Sequence, residues 1–200
     1  MEQNFESLRQ EIVDKSLEAF RQGLFSGTSG NMSCRVAPDE MLITPTSVRY
    51  EALRAQDIVR MTLDGTVVEG ALQPSSEWRM HAAVYKAYPE TNAVFHTHSP
   101  YATAFAVVRR SIPAVLIEAR IFLGGDVRCA DYATPGTKEV GMNAVPALFE
   151  RGGCTLANHG VLAVGEDLAQ AYLRAEYIED VAKIYTYAKA IGEPVVLDTL

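Results

Sequence analysis

The stretch NAVFHTHSPYA, residues 92–102, allows few arrangements. Three apolar residues run into His96 and His98, two of the chain's four histidines, and Pro100 follows at once. The apolar approach predicts a buried strand, on which positions i and i+2 project to one face, so the two imidazoles should point the same way. Proline cannot give an N–H to a sheet ladder but is tolerated in a first helical turn, so a helix is expected from Pro100. The fold must therefore bury a strand that ends on a pair of histidines and hand it directly to a helix.

Elements of both kinds surround this stretch. Phe5, Leu8, Ile12, Leu17, Phe20 and Leu24 recur at helical intervals and predict an amphipathic first helix ending near Gly23. Gly27, Ser29, Gly30 and Asn31 form a turn into an alternating strand over 32–36, and EMLITPTSV predicts a further short strand and a polar turn. IVRMTLDGTVVEG reads as a hairpin turning at Asp64 and Gly65. A helix over EWRMHAAVYKAY follows Pro74, with Ser75 or Ser76 as its N-cap. Beyond the histidine strand, residues 114–123 are apolar apart from Glu118 and Arg120, and Gly124 and Gly125 make a break. TKEVGMNAVPALFE predicts a helix interrupted near Pro146, CTLANHGVLAVG two strands around a turn at 158–160, and DLAQAYLRAEYIEDVAKIYTYAKAIG a long helix stopping at Gly192. No repeat, low-complexity tract or linker divides the chain, so one domain is expected over residues 1–200.

With 48% apolar and 22% charged residues, the chain has the composition of an ordinary soluble domain with a sizeable core. Its 18 basic and 25 acidic residues give a net charge of −7, and no basic cluster exceeds the pair Arg109 and Arg110. Nucleic acid and anionic membrane are therefore poor partners. The N-terminus lacks the apolar core of a secretion signal, and no stretch approaches the roughly 18 apolar residues that span a bilayer. Cys34, Cys129 and Cys154 form no CxxC pair and read as reduced thiols, which together predict a cytoplasmic protein.

Three groups of residues can carry chemistry. His96, His98 and His159, the last in a glycine-flanked turn, make a candidate three-nitrogen metal site with one open position; neutral imidazoles suit Zn²⁺, and Co²⁺, Mn²⁺ or Fe²⁺ accept the same ligands. The alternative is three hydrogen-bonded core or turn histidines. Glu77, after Pro74, Ser75 and Ser76, is either a carboxylate favoured by the helix dipole or a general base, and His81 one turn later either orients it or packs half-buried. The segments GTSGN, TPTS and PSS gather hydroxyl, amide and glycine residues at turns, and are ordinary turns or donors of N–H and O–H groups to an anion such as phosphate. Neither GxxxxGK[ST] nor GxGxxG after a strand occurs, which counts against nucleotide binding through those motifs.

With SGTSGNMSCR, ITPTSVRYEAL, QPSSEWRMHAAVY, HTHSPYATA and NHGVLAVG in this order, the chain resembles the class II aldolase/adducin family, and within it the zinc-dependent fuculose-phosphate aldolase branch. The resemblance implies an α/β fold of three layers, α/β/α, with a central mostly antiparallel sheet. It implies that His96, His98 and His159 bind zinc, that Glu77 is the acid/base, and that Gly30, Asn31, Thr46, Ser47, Ser75 and Ser76 line a phosphate pocket. It also implies a homotetramer with active sites at subunit contacts.

Three positions depart from that branch: Thr46-Ser47 replaces a Thr-Gly pair, Glu118 stands where a tyrosine proton donor is expected, and the chain ends at Leu200 without the branch's longer tail and second tyrosine. Tyr132 and Glu118 are the acids left for the aldehyde end. The implied reaction is reversible retro-aldol cleavage of a ketose 1-phosphate to dihydroxyacetone phosphate and an aldehyde, the metal stabilising an enediolate. Decarboxylation of a phosphorylated keto acid is the first alternative, since it passes through the same kind of enediolate. Pentulose-phosphate epimerisation and methylthioribulose-phosphate dehydration also occur in the family, and a non-catalytic, adducin-like assembly module is the alternative from another class.

Overall fold

A computed structural model of the chain describes residues 5–197. Its eight strands form one sheet: β1 (Asn31–Ala37), β2 (Glu40–Ile43), β3 (Val59–Thr62), β4 (Val67–Glu69), β5 (Ala93–Thr97), β6 (Arg128–Ala130), β7 (Gly153–Leu156) and β8 (Gly160–Gly165). The order across the sheet is β4-β3-β2-β1-β5-β8-β7-β6. Every pairing is antiparallel except β6 with β7, so the sheet is mostly antiparallel, as expected.

Six helices cover its faces: α1 (Glu6–Arg21), α2 (Trp78–Ala87), α3 (Pro100–Val107), α4 (Ile117–Leu123), α5 (Lys138–Leu148) and α6 (Leu168–Ile191). Strand alternation divides the core in two. Met32, Cys34, Phe95, Val161 and Ala163 pack with residues of α1, α3, α4 and α6. Met41, Ile43, Val94, Leu162 and Val164 point the other way, against α2 and α5. The result is the three-layer α/β/α arrangement implied by the resemblance. The three cysteines are free thiols. No helix among the described residues is long and apolar enough to cross a membrane.

Three local expectations need correction, and one strand was not foreseen. The N-cap of α2 is Glu77, not Ser75 or Ser76; the Ser75 hydroxyl accepts the Glu77 N–H at 3.3 Å and so turns the chain one residue before the helix. The histidine strand ends at Thr97, and His98 lies just past it, its N–H donated to the Leu24 carbonyl at 3.1 Å. α5 runs through Pro146 to Leu148, because a proline in the last turn forfeits only one helical hydrogen bond. β6, three residues long, lacks the length at which alternation becomes legible.

Candidate active site

The site sits where β1 and β5 adjoin, on the α2 face of the sheet. Asn31, the first residue of β1, lies directly opposite His96 in the antiparallel register, and Ser33 lies opposite Val94. Since Met32 and Phe95 face the other layer, Asn31, Ser33 and His96 all face α2, whose N-cap is Glu77 and whose first turns carry His81. His159 arrives from the tight turn between β7 and β8, where Asn158 holds a left-handed φ of 55°, a conformation that asparagine tolerates. The Arg109 guanidinium secures that turn by donating to Asn158 Oδ1 at 3.1 Å. On the exit side of β5, Glu179 of α6 accepts the N–H groups of Tyr101 and Ala102 at 3.0 and 2.8 Å, anchoring the start of α3.

Glu77, His96, His98 and His159 each direct one ligand atom into a common space, all within 4.8 Å of one another. His96 Nε2 lies 3.0 Å from His98 Nε2 and 3.1 Å from Glu77 Oε2, and His159 Nε2 lies 3.1 Å from Glu77 Oε1. His96 Nδ1 faces the Val161 carbonyl at 2.8 Å, which places its proton on Nδ1 and leaves the Nε2 lone pair toward the cluster. Glu77 Oε1 is buried yet lacks a hydrogen bond despite its nearness to His159.

These observations fit a divalent ion. Ligands about 2.0–2.1 Å from a tetrahedral zinc stand roughly 3.3 Å apart, close to the spacings seen here. Burial and the neighbouring His96 and His159 rings push His98 down to about 4, keeping it in the neutral, ligating form. Burial raises the Glu77 carboxyl, but the His96 and His159 rings more than reverse this and hold it below the usual carboxylate range.

A cavity of about 360 Å³ opens beside the cluster, lined by Gly30, Asn31, Thr46, Ser47, Ser75 and Ser76, the six residues expected of a phosphate pocket, together with Glu77, His98 and His159. Two backbone hydrogen bonds join its loops: Thr46 N–H to the Gln73 carbonyl and Ser75 N–H to the Thr44 carbonyl, both 3.0 Å. Gly30 has φ +88°, and a Cβ there would strike the Phe25 ring. Ser47 occupies the left-handed region at φ 60°, at the position where the resemblance expects glycine.

Neither Tyr132 nor Glu118 lines this cavity. Tyr132 follows β6 with a half-exposed side chain, and Glu118 lies in the first turn of α4.

Sequence reasoning missed several residues. Tyr50 donates to the Gly30 carbonyl at 2.7 Å, stacks on Phe25, and so braces the loop below the pocket. Pro135 and Gly136 also line the cavity, beside Thr28 and Ser29 of the GTSGN turn. Gly160 abuts the rings of His96 and His98. His81 is neither half-buried nor in contact with Glu77: it is fully buried and pairs with Asn31 and Ser33. Burial, then the nearby His96 ring, pushes it down to about 3.

Comparison with known proteins agrees with this architecture. The model of the class II aldolase and adducin N-terminal domain matches residues 10–186. The chain is 42% identical over 195 residues to L-fuculose phosphate aldolase of Escherichia coli K12, covering 98% of this chain and 89% of that protein. It is 40% identical over 190 residues to 5-deoxy-D-ribulose 1-phosphate aldolase of Bacillus thuringiensis serovar kurstaki, covering 94% and 89%. A solved structure of L-fuculose 1-phosphate aldolase superposes with a TM-score of 0.91 at 41% identity, covering 96% of this chain and 90% of that one. By sequence and by fold, the chain belongs to the class II aldolase and adducin family, on its aldolase, lyase side.

Proposed function

We propose that this class II aldolase cleaves a ketose 1-phosphate of the fuculose or ribulose type, reversibly, to dihydroxyacetone phosphate and an aldehyde. The observation that carries this reading is the convergence of Glu77 with three imidazole Nε2 atoms at the edge of a hydroxyl-lined cavity. The identities to aldolases of two ketose 1-phosphates support the substrate class.

His96, His98 and His159 would hold the ion, Zn²⁺ by donor chemistry, with Co²⁺, Mn²⁺ or Fe²⁺ as substitutes. Once bound, the metal would supply Lewis-acid stabilisation of the negative charge that develops on the ketone oxygen and the oxygen of the adjacent carbon. No lysine or arginine lines the cavity among the described residues, so the phosphate would rest on neutral N–H and O–H donors of the loops around Gly30, Thr46, Ser47, Ser75 and Ser76, near the N-terminal end of α2. Asn31 donates to Glu77 Oε2 at 2.9 Å, which leaves Oε1 as the oxygen that carries the proton. In condensation, Oε1 removes a proton from the hydroxymethyl carbon of dihydroxyacetone phosphate; in cleavage it delivers a proton to that same carbon once its bond to the aldehyde carbon has broken. Positioned proton transfer of this kind contributes about 10²–10⁴ in rate.

The aldehyde hydroxyl needs its own acid/base. Tyr132 and Glu118 are the candidates, each acting from a neighbouring copy in a homotetramer whose active sites lie at subunit contacts. Val107 and Val108, exposed beside the turn that carries His159, support an assembly there. Residues 1–200 are read as one domain, working in the cytoplasm.

The test is incubation with Zn²⁺ and a panel of phosphorylated ketoses and keto acids. Dihydroxyacetone phosphate released from a ketose 1-phosphate is the expected result. Carbon dioxide from a keto acid would replace the reading with decarboxylation, interconversion of pentulose phosphates would replace it with epimerisation, and protein that neither contains nor takes up a divalent metal would point to a scaffold.

A further inference from the structure

Four buried side chains stand in an unbroken file behind Glu77. Tyr85 Oη lies 2.7 Å from Ser33 Oγ, which lies 2.6 Å from His81 Nδ1; His81 Nε2 lies 2.5 Å from Asn31 Oδ1, and Asn31 Nδ2 lies 2.9 Å from Glu77 Oε2. His81 and Ser33 are fully excluded from solvent, Tyr85 is 1% exposed and Asn31 4%. No pattern along the chain requires this arrangement, and metal ligation does not account for it.

The inventory of donors and acceptors gives the file one direction. An ionised carboxylate only accepts, so Asn31 must turn its NH₂ toward Glu77 and its carbonyl oxygen toward His81. That oxygen only accepts, so His81 must carry a proton on Nε2. A neutral imidazole then offers a lone pair at Nδ1, which accepts from the Ser33 hydroxyl, and the Ser33 oxygen accepts from Tyr85. Reversing any one member would set two donors or two acceptors face to face in a sealed interior, at a cost of about 1–3 kcal/mol.

We infer that His81 is a positioning residue for Glu77: held as its Nε2–H tautomer by Ser33 and Tyr85, it locks the Asn31 amide so that Oε2 of Glu77 is always occupied and Oε1 alone faces the reacting carbon. The role is not metal binding, because His81 is not among the four residues whose ligand atoms converge and bonds at both ring nitrogens. Its kinetic consequence rests on the aldolase reading; the tautomer and the amide orientation do not.

The test compares wild type with His81→Asn and His81→Gln. Glutamine extends an amide N–H to about the place of Nε2–H, whereas asparagine reaches only as far as Nδ1. In ¹⁵N-resolved spectra of the metal-free wild type, the His81 proton is expected on Nε2 and the Asn31 side-chain NH₂ in slow exchange with water. His81→Asn is expected to lose that protection and about 10–100-fold in kcat, with KM and metal content near wild type, while His81→Gln retains both. A proton found on Nδ1 in the wild type would overturn the inference with no variant needed, and so would equal loss of Asn31 protection in the two variants. The spectra require neither substrate nor turnover, so they decide the tautomer and the amide orientation even if every substrate in the panel proves inert.

Discussion

Gly160→Ala is the substitution by which this site can be probed most sharply without touching a ligand. A Cβ at Gly160 would overlap the Thr97 carbonyl oxygen and stand 3.1 Å from His96 Cε1 and 3.2 Å from His98 Cδ2. Carbon and oxygen normally approach no closer than about 3.3 Å, so one partner must move by close to an ångström. The carbonyl belongs to β5, which is paired on both sides by β1 and β8 and cannot retreat cheaply. Overpacking of this kind costs about 1–3 kcal/mol, and backbone rather than a flexible side chain in the way places the cost at about 2–3 kcal/mol. For a chain of this size that corresponds to a fall in Tm of roughly 4–12 °C. The displacement also reaches two imidazoles that must be held within about 0.5 Å of ligating geometry, so metal affinity should fall about 10–100-fold. Denaturant unfolding of metal-free protein reads the first effect, and competition with a chromophoric chelator reads the second. Gly192→Ala is the control, since its φ is −177° and a Cβ there meets nothing within 4 Å. Wild-type metal affinity in Gly160→Ala, whatever its stability, would refute the claim that this glycine makes room for the histidines.

The remaining predictions concern individual roles. His96→Ala should lose both metal and activity, whereas Glu77→Gln should keep its metal and lose at least about 10² in turnover; equal metal loss, measured by elemental analysis, would contradict the proton-transfer role. Ser47→Gly should raise stability by about 0.5–1 kcal/mol in denaturant unfolding, because the left-handed φ of 60° costs a serine about 1–2 kcal/mol and glycine recovers part of that after its own backbone entropy. Because His81 is neutral in the fold down to about 3 and takes a proton near 6.5 once unfolded, its contribution is complete above pH 6.5 and is lost as pH falls below that value. Between pH 7 and pH 4.5, metal-free wild type should therefore lose roughly 2–3 kcal/mol more than His81→Gln. Removal of metal by a chelator should abolish turnover and lower Tm, and Zn²⁺ should restore both, by the linkage between binding and folding.

The chain's own periodicities were enough to place most elements. The histidine strand, the hairpin at Asp64 and Gly65, the helix from Pro100 and the long last helix ending before Gly192 follow from alternation, helical spacing and the habits of proline and glycine, all of which act within a few residues. The same local logic put His96 and His98 on one side of a strand end. What it could not decide is which distant segments touch. β1 and β5 are neighbours although some sixty residues separate them, and that pairing alone sets Asn31 opposite His96 and beside Glu77. Glu77 looks in sequence like a dipole-favoured carboxylate in a first turn; only the closure of the sheet under α2 turns it toward three imidazoles. His81 and Tyr85 follow Glu77 at four-residue spacing, but their meeting with Ser33 and Asn31 could not be read along the chain, because a buried hydrogen-bond file is a property of register between a strand and a helix. Tyr132 and Glu118, chosen as acids from the sequence, lie outside the cavity. Spacing along a chain determines the face on which a side chain emerges, whereas the partner it meets there is settled by long-range pairing and by the need to satisfy every buried polar group.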